Sequence, residues 1–428
     1  MRITVIGLGK IGLPIAVSYA KKGNSVIGLD TNLKQVDLIN SGIEPFPGED
    51  NLEVLLKEVI DSRNLRATSN SVTAISNAEI IVVCIPLLLD NESKVDFKNI
   101  DMVMKNIGSG IASGALVSIE TTLPVGTTKN RFSKILEEYS KMTVGKDIFL
   151  VFSPERVLTG RVFKDLRRYP KIVGGVTQLC TEKGVQFYEK VLEFDVREDL
   201  QKPNGVWAVS NSETAEFTKI AEATYRDVNI GLANEFELFA GRNGIDFSEV
   251  REAANSQPYS NIHVPGISVG GHCIPVYSNF YINNNSGSDI AKSARKQNLV
   301  MPSIAIDIIK NHYPNLKRFN IGIIGISYRP EVKESTFSGA LELLKLLKLE
   351  ESVVYGFDSL YSKTEITELG FEYSAKLSGM DGLIINTAHK DYAEIDYNKI
   401  IGLKFIFDGR NMLKNDNNPK KNFKYLTY

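Results

Sequence analysis

The chain has 428 residues, more than one hydrophobic core usually organises, so two or three domains are expected. Hydrophobic residues make up 43% and charged residues 24%, values that exclude a disordered, collagen-like or disulfide-rich chain. The 50 Lys and Arg residues nearly balance 51 Asp and Glu residues, and the net charge of −1 argues against a nucleic-acid or membrane partner.

The three cysteines are Cys84, Cys180 and Cys273, and they lie far apart without a CxxC pair. Neither a disulfide framework nor a zinc site is expected, and a reducing cytoplasm is the predicted location. The opening segment MRITVIGLGK does not have the pattern of a secretory signal. The longest apolar run, from Ile80 to Leu89, is about half of a membrane span, so it predicts a buried strand.

The first third of the chain alternates strand and helix patterns. Residues 2–6 and Ser25 to Asp30 are predicted strands, joined by a helical stretch that extends to Lys22. Later apolar segments repeat the alternation, which predicts a mostly parallel, doubly wound sheet. This first domain is assigned to residues 1–203.

A dinucleotide-binding fingerprint follows the first predicted strand. Gly7, Gly9 and Gly12 fit the G-x-G-x-x-G pattern, and Asp30 stands at the end of the next strand. Such glycines let backbone N–H groups approach a pyrophosphate, and the carboxylate can accept from a ribose 2′-hydroxyl. A 2′-phosphate would be repelled, so NAD is favoured over NADP. The alternative is a glycine turn that binds no ligand.

Polar residues follow two further apolar strands, at the strand ends where open α/β sheets bind ligands. Thr121 and Thr122 lie in SIETTLPVGTT, and Glu155 and Arg156 lie in SPERVLTG. All four are candidates for lining a cofactor and substrate crevice. Ordinary turns contain the same residue types, so a purely structural role stays open.

One helix of about thirty residues is predicted from Ser212 to about Gly241, with a serine N-cap and no interior proline. Such a helix bridges domains or forms a dimer surface. Lys219 lies near its start, and a lone helix lysine is ordinarily solvated.

Cys273 follows Gly270 and Gly271 in PGISVGGHCIPV, on a predicted bend that a substrate could approach closely. Beside an NAD fold, a thiolate can add to an aldehyde, and the adduct can be oxidised to a thioester that water cleaves. A buried structural cysteine is the alternative, and it is the expected state of Cys84 and Cys180.

The last third restarts the strand and helix alternation at Phe319 to Ser327 and predicts a second, smaller nucleotide fold. The fold class is therefore α/β, with two Rossmann-like doubly wound domains joined by a long central helix. The predicted central segment is 204–300 and the C-terminal domain is 301–428. Asn283 to Asp289 predicts a turn, and the end after Lys414 predicts a frayed tail.

Seven motifs, in the same order, resemble the UDP-glucose/GDP-mannose dehydrogenase family, the NAD-dependent nucleotide-sugar 6-dehydrogenases. They are VIGLGKIGLPIA, TTLPVGTT, SPERVLTGR with KIVGG, EFTKIAEATYRDVNIGLANE, PGISVGGHCIPV, GISYRP and DGRN. The resemblance implies an N-terminal NAD domain, a dimerising central helical segment and a C-terminal domain that binds the UDP-sugar. It implies a homodimer or higher homo-oligomer, and a product used in capsule or glycan synthesis.

The resemblance also assigns roles to individual residues. Cys273 matches the nucleophile, Lys219 the lysine that stabilises oxyanions, Glu155 an acid/base residue, and Thr122 a residue that positions water. Gly7, Gly9, Gly12, Asp30, Thr121 and Lys333 are the implied cofactor-binding set. The implied substrate-binding set is Arg156, Gly270, Gly271, Arg329 and Arg410.

Two positions depart from the family pattern. Ala223 stands where an asparagine usually shares the oxyanion, and Tyr277 stands where an aspartate usually helps to activate water. Glu222, Thr224 or Tyr277 could compensate. His272 is interpreted as structural.

GGHCIPV and RDVNI look most like the members that act on UDP-N-acetylmannosamine or UDP-N-acetylglucosamine. The expected reaction is the four-electron oxidation of C6 of such a sugar to the uronate. The alternatives are a UDP-glucose 6-dehydrogenase, an enzyme that stops after one oxidation or epimerises the sugar, and a catalytically silent UDP-sugar-binding protein.

Overall fold

The computed structural model describes residues 1–90, 92–413 and 422–428. They form two compact units, Met1–Glu222 and Ala223–Tyr428. The boundary falls inside one 31-residue helix, Ser212–Arg242, which confirms the predicted long helix. The predicted three-part division of the chain stays a prediction.

The first unit contains a mostly parallel sheet flanked by helices. Its strands are β1 (Arg2–Ile6), β2 (Ser25–Leu29), β3 (Leu65–Thr68), β4 (Ile80–Val83), β5 (Leu88–Leu89), β6 (Val95–Asp96), β7 (Leu116–Ile119), β8 (Phe149–Phe152), β9 (Lys171–Gly175) and β10 (Val206–Ala208). Strands β5 and β6 form a separate antiparallel pair, and the other eight have the order β10-β9-β8-β7-β4-β1-β2-β3. All neighbours in that sheet are parallel except β8 and β9. The strand order reverses between β1 and β4, and doubly wound sheets bind ligands at such a reversal.

The helices of the first unit connect these strands. They are α1 (Gly12–Lys21), α2 (Leu33–Asn40), α3 (Leu52–Asp61), α4 (Ser71–Ile75), α5 (Lys98–Gly110), α6 (Ser133–Ser140), α7 (Val162–Arg168) and α8 (Gln178–Val191), with the long helix as α9 (Ser212–Arg242). Side chains fix several starts, since Asn32, Asn70 and Thr177 each accept from a backbone N–H of the first turn.

The second unit contains a six-stranded parallel sheet of order β13-β12-β11-β14-β15-β16. Its strands are β11 (Asn320–Ile324), β12 (Val353–Phe357), β13 (Glu372–Tyr373), β14 (Gly382–Ile385), β15 (Phe405–Asp408) and β16 (Lys424–Leu426). Alternate residues of the central strands pack in different clusters: Ile384 and Phe405 belong to one, Leu383 and Ile406 to the other. The predicted second nucleotide fold is thus confirmed.

The described part of the second unit has six further α-helices: α10 (Phe247–Asn255), α11 (Cys273–Asn284), α12 (Asp289–His312), α13 (Gly339–Leu349), α14 (Lys363–Glu368) and α15 (Lys390–Ala393). The gap between α11 and α12 matches the predicted turn. The predicted frayed tail is wrong for Lys424–Leu426, which pair with β15; residues 414–421 lie outside the described residues. No helix within the described ranges is both long and apolar enough to cross a membrane.

Candidate active site

The loop after β1 has the backbone that the glycine fingerprint predicts. Gly7 has a φ of +90°, a left-handed conformation that favours glycine. Gly12 begins α1, and a Cβ added there would overlap the carbonyl oxygen of Gly7. A Cβ added at Gly9 would meet nothing within 4 Å, so the space beside this residue is open. These features suit the close approach of a pyrophosphate to a helix N-terminus.

Asp30 lies directly after β2, at the edge of this loop. Its Oδ2 accepts from the backbone N–H of Leu8 at 2.8 Å, and its Oδ1 accepts from the N–H of Asn32 at 2.9 Å. Each carboxylate oxygen has a second lone pair and can also accept from a ribose hydroxyl. The residues present therefore fit NAD: Asp30 would hold the ribose, and the glycine loop would hold the pyrophosphate.

Thr121 and Thr122 follow β7, and both are buried. The Thr121 hydroxyl donates to the carbonyl oxygen of Ile85 at 2.6 Å, which ties the ends of β4 and β7 together. Cys84 lies in the same β4 loop and is only partly buried, whereas Cys180 in α8 is fully buried as expected. The predicted contacts of both threonines with cofactor or water stay predictions.

Lys219 and Glu155 meet in the first unit. The Lys219 ammonium donates to the carbonyl oxygen of Glu155 at 2.6 Å, and Lys219 is only 6% exposed. The reading of Lys219 as an ordinary solvated helix lysine is therefore wrong. The Glu155 carboxylate accepts from the Lys171 ammonium at 2.8 Å and from the N–H of Arg156 at 2.7 Å.

Arg156 is held by protein groups on two sides. One guanidinium nitrogen pairs with Glu222 at 2.6 Å, and another donates to the carbonyl oxygen of Pro170 at 2.9 Å. These bonds fix the side chain beside Glu155. Its contact with substrate stays a prediction.

Sequence reasoning missed Glu216, one turn before Lys219 on the same helix. Its buried carboxylate accepts from the N–H groups of Gly126 (2.5 Å) and Thr128 (2.8 Å) and from the Thr128 hydroxyl (2.6 Å). Burial raises the pKa of Glu216 to about 7, against the effect of these three donors. Glu216 thus fixes the TTLPVGTT loop to α9.

In the second unit, Cys273 is exposed and is the first residue of α11. The predicted bend lies just before it, at Gly271, whose φ is +79°. Pro275 does not interrupt the helix because it lies in the first turn, where a missing N–H costs nothing. A Cβ added at Gly270 would lie 2.5 Å from Tyr328 Cβ, and one added at Gly271 would lie 2.8 Å from the Tyr328 ring, so tight packing on Tyr328 also requires both glycines. Their contact with substrate stays a prediction.

The residues around Cys273 are aromatic. The rings of His272 and Tyr277 meet edge to face at 5.7 Å, and Tyr277 also contacts Phe280 at 5.6 Å. Tyr277, the departure from the family aspartate, therefore belongs to an aromatic cluster on α11.

The three predicted cationic contacts of the second unit lie in different settings. Arg410 donates to the carbonyl oxygen of Asn386 at 2.7 Å, and burial lowers the pKa of its guanidinium. The Arg329 guanidinium lies 5.8 Å from the ring centre of Tyr328. Lys333 forms an ion pair with Glu365 at 2.6 Å. None of these contacts decides the predicted ligand roles.

The glycine loop and Asp30 in the first unit, with a second nucleotide fold in the other, define an NAD-dependent oxidoreductase of nucleotide-type substrates. Comparison with known proteins narrows this class. Models of the UDP-glucose/GDP-mannose dehydrogenase family match residues 1–192 (NAD binding domain), 213–298 (central domain) and 322–415 (UDP binding domain).

Individual relatives agree with the family match. A UDP-N-acetyl-D-mannosamine dehydrogenase from Pyrococcus horikoshii is 32% identical over 426 residues, covering 97% of this chain and 96% of that protein. One from Methanocaldococcus jannaschii is 32% identical over 435 residues, covering 99% and 95%. The solved structure of UDP-D-ManNAc dehydrogenase from P. horikoshii has a TM-score of 0.88 at 30% identity, covering 100% of this chain and 99% of that one.

The chain therefore belongs to the UDP-glucose/GDP-mannose dehydrogenase family, as its motifs predicted. It is an NAD-dependent nucleotide-sugar dehydrogenase.

Proposed function

We propose that this enzyme oxidises C6 of a UDP-N-acetylhexosamine to the uronate, with UDP-N-acetyl-D-mannosamine as the first candidate because relatives of that name match nearly the whole chain. The observation that carries the proposal is the contact between Lys219 and Glu155. It brings a buried ammonium and an acid/base candidate together in the unit that binds NAD.

In the first oxidation, an ionised Glu155 takes the proton of the C6 hydroxyl, directly or through water, and Lys219 stabilises the developing oxyanion. Bound NAD supplies the acceptor for the hydride in both oxidations. The Cys273 sulfur then adds to the aldehyde carbon, and the carbonyl oxygen gains a proton to give a thiohemiacetal.

In the second oxidation, Glu155, having released its first proton to solvent, accepts the thiohemiacetal hydroxyl proton as the remaining C6 hydride leaves, so the adduct becomes a thioester; Glu155 then releases this proton to solvent as well. Water then attacks the thioester carbon, the carbon–sulfur bond breaks, and the Cys273 thiol is regenerated as the uronate leaves. Glu155 is proposed to accept the proton of that water, and Thr122 is proposed to position it. Overall, one sugar, one water and two NAD yield one uronate, two NADH and three protons released to solvent.

A panel of UDP-sugars tests this proposal through NADH absorbance and product mass. The uronate is about 14 Da heavier than its sugar, and about two NADH should form for each sugar consumed. Binding of UDP-sugars without NADH formation would overturn the proposal in favour of a silent binding protein.

A second candidate rests on the residues that replace the family's polar partners. Ala223 is fully buried and carries no donor, and Tyr277 packs among aromatic rings. An enzyme without those partners could stop at the aldehyde or epimerise the sugar. About one NADH per sugar would indicate the first outcome, and an unchanged mass with altered stereochemistry would indicate the second.

We also propose that the enzyme is at least a homodimer, paired through α9. Tyr225, Leu232, Phe236 and Phe239 are 53%, 45%, 39% and 58% exposed and recur at intervals of seven, four and three residues, so they share one helix face. The same helix face of a second copy would cover these four side chains.

The double variant Leu232→Glu with Phe239→Glu should give monomers in light-scattering chromatography, whereas Leu349→Glu, at an 82% exposed position on α13, should not. An unchanged mass in the double variant would contradict the proposal.

The proposed location is the cytoplasm, where the three free thiols would stay reduced. A nucleotide-activated uronate made there would serve glycan or capsule synthesis. Fractionation of the producing cells tests the location.

A further inference from the structure

A buried charge cluster lies behind Glu155, and the mechanism above does not use it. The ammonium of Lys171, the first residue of β9, lies 2.8 Å from Glu155 Oε2 and 3.2 Å from Glu120 Oε1. The side chains of Lys171 and Glu120 are 5% and 1% exposed, and that of Glu155 is 11% exposed. One cation therefore sits between two carboxyl groups, away from solvent.

Glu120 comes directly after β7, and apart from Lys171 its side-chain hydrogen-bond donors are neutral hydroxyls. Its Oε1 accepts from the hydroxyls of Tyr188 at 2.6 Å and Tyr19 at 3.3 Å. Its Oε2 is buried and has no hydrogen-bond partner among the described residues. An ionised oxygen in that position would be costly, whereas a neutral carboxyl is tolerated.

The titratable groups that interact with Glu155 are Lys171 from β9, Glu120 after β7 and Lys219 from α9, together with Tyr19 and Cys84; Tyr188 contacts Glu120. Burial opposes ionisation of Glu155, yet the Lys171 ammonium holds the pKa of Glu155 below its usual range. Burial raises the pKa of Glu120 despite the same lysine. When the surroundings of two neighbouring carboxyls shift their pKa values in opposite directions, the one with the lower pKa can act as a base while the other keeps its proton.

We infer that Lys171 is a positioning residue that keeps Glu155 ionised and aimed, and that Glu120 is its neutral partner, carrying a proton in the resting enzyme. This inference rests on the proposed acid/base role of Glu155. Lys171 neutralises one carboxylate, and the proton on Glu120 removes the second negative charge from the buried cluster. The Glu155 carboxylate therefore stays ionised at neutral pH without a counterion from solvent and can act as the base.

Three variants separate this role from a purely structural one. Lys171→Met removes the cation and should raise the pKa of Glu155. The acid limb of the pH profile of kcat should therefore shift to higher pH by at least about one unit. Lys171→Arg keeps the charge and should leave the limb in place. Glu120→Gln mimics the neutral carboxyl and should also leave the limb in place, with kcat within about threefold of the wild type. Glu189→Gln, at an exposed position on α8, is the matched control.

Infrared titration of the carboxyl bands without substrate gives a readout that needs no turnover. Wild type should show a low Glu155 midpoint, assigned by its loss in Glu155→Gln, and a higher Glu120 midpoint, assigned by its loss in Glu120→Gln. The Glu155 midpoint should rise in Lys171→Met. If no UDP-sugar yields NADH, the proposed function fails, and these midpoints still decide the inference.

An unmoved Glu155 midpoint in Lys171→Met would overturn the role of Lys171. A downward shift of that midpoint by about one unit in Glu120→Gln would show that Glu120 is ionised and overturn its neutral state. If Lys171→Met does not fold, Lys171→Gln, which also removes the charge, decides the role of Lys171, and Glu120→Gln decides the state of Glu120.

Discussion

Lys219 and Glu155 are joined by a 2.6 Å hydrogen bond from the lysine ammonium to the glutamate main-chain carbonyl oxygen. Because this bond uses the main-chain oxygen, the Glu155 carboxylate is able to accept from Lys171 and from the Arg156 N–H. The backbone of Glu155 thus binds Lys219, and its side chain binds Lys171. The start of α9 is thereby fixed against the loop after β8. Small changes at either residue should affect the orientation of the other.

Replacing Lys219 with methionine should lower kcat by about 100- to 1000-fold, the usual cost of losing one oxyanion-stabilising group. The KM for the UDP-sugar should change little, because the oxyanion develops only in the transition state. Lys190→Met, at an exposed position on α8, is the control and should keep wild-type kinetics. Equal losses in both variants, or a loss confined to KM, would argue against the proposed role.

Cys273→Ser should abolish uronate formation while UDP-sugar binding stays intact, because a serine hydroxyl is a far weaker nucleophile than a thiolate. Product mass and isothermal titration calorimetry measure the two effects. Cys180→Ser is the matched control: Cys180 is buried in α8, so this change should lower stability but leave the products unaltered. Uronate production at the normal rate by Cys273→Ser would rule out covalent catalysis at that sulfur.

The features that the sequence predicted correctly are local in the chain. The glycine loop, α1 and the strand before Asp30 lie within about thirty residues, and their pattern reflects backbone geometry that few other residues allow. The long helix was predictable for the same reason, since its N-cap and its freedom from proline are properties of consecutive residues.

The missed contacts join distant parts of the chain. Glu216 meets Thr128 across 88 positions, and Tyr188 meets Glu120 across 68. A glutamate on a helix or after a strand is normally solvated, so nothing in its neighbours along the chain marks it as buried. Tyr328 packs against Gly270 and Gly271, a contact that no local pattern predicts.

Asp30→Ala should raise the KM for NAD about 10- to 100-fold, because it removes a charged acceptor from the ribose and releases the N–H of Leu8. The discrimination against NADP should also fall, since the carboxylate no longer repels a 2′-phosphate. Initial rates with both cofactors measure this, and Asp37→Ala, at an exposed position on α2, should behave as wild type. If the ratio of kcat/KM with NAD to kcat/KM with NADP is unchanged, Asp30 does not contact the cofactor.

Stability should fall as pH rises from about 5 to about 7 because of Glu216. Its folded-state pKa of about 7 lies above the ordinary value of 4.5, so the folded chain keeps a proton that the unfolded chain releases between these values. Rising pH therefore favours unfolding. The contribution of Glu216 to stability is on the order of 3 kcal/mol; it is complete below the unfolded-state pKa of the carboxyl and lost above its folded-state pKa.

The fluorescence of the only tryptophan, Trp207 in β10, reports unfolding of the first unit. In urea titrations, Glu216→Gln should lose this part of the pH dependence, although its amide would face the Gly126 N–H at a cost of about 1–3 kcal/mol. Glu235→Gln, at an exposed position on the same helix, should keep the wild-type slope; parallel pH profiles for wild type and Glu216→Gln would show that the Glu216 carboxyl is ionised throughout.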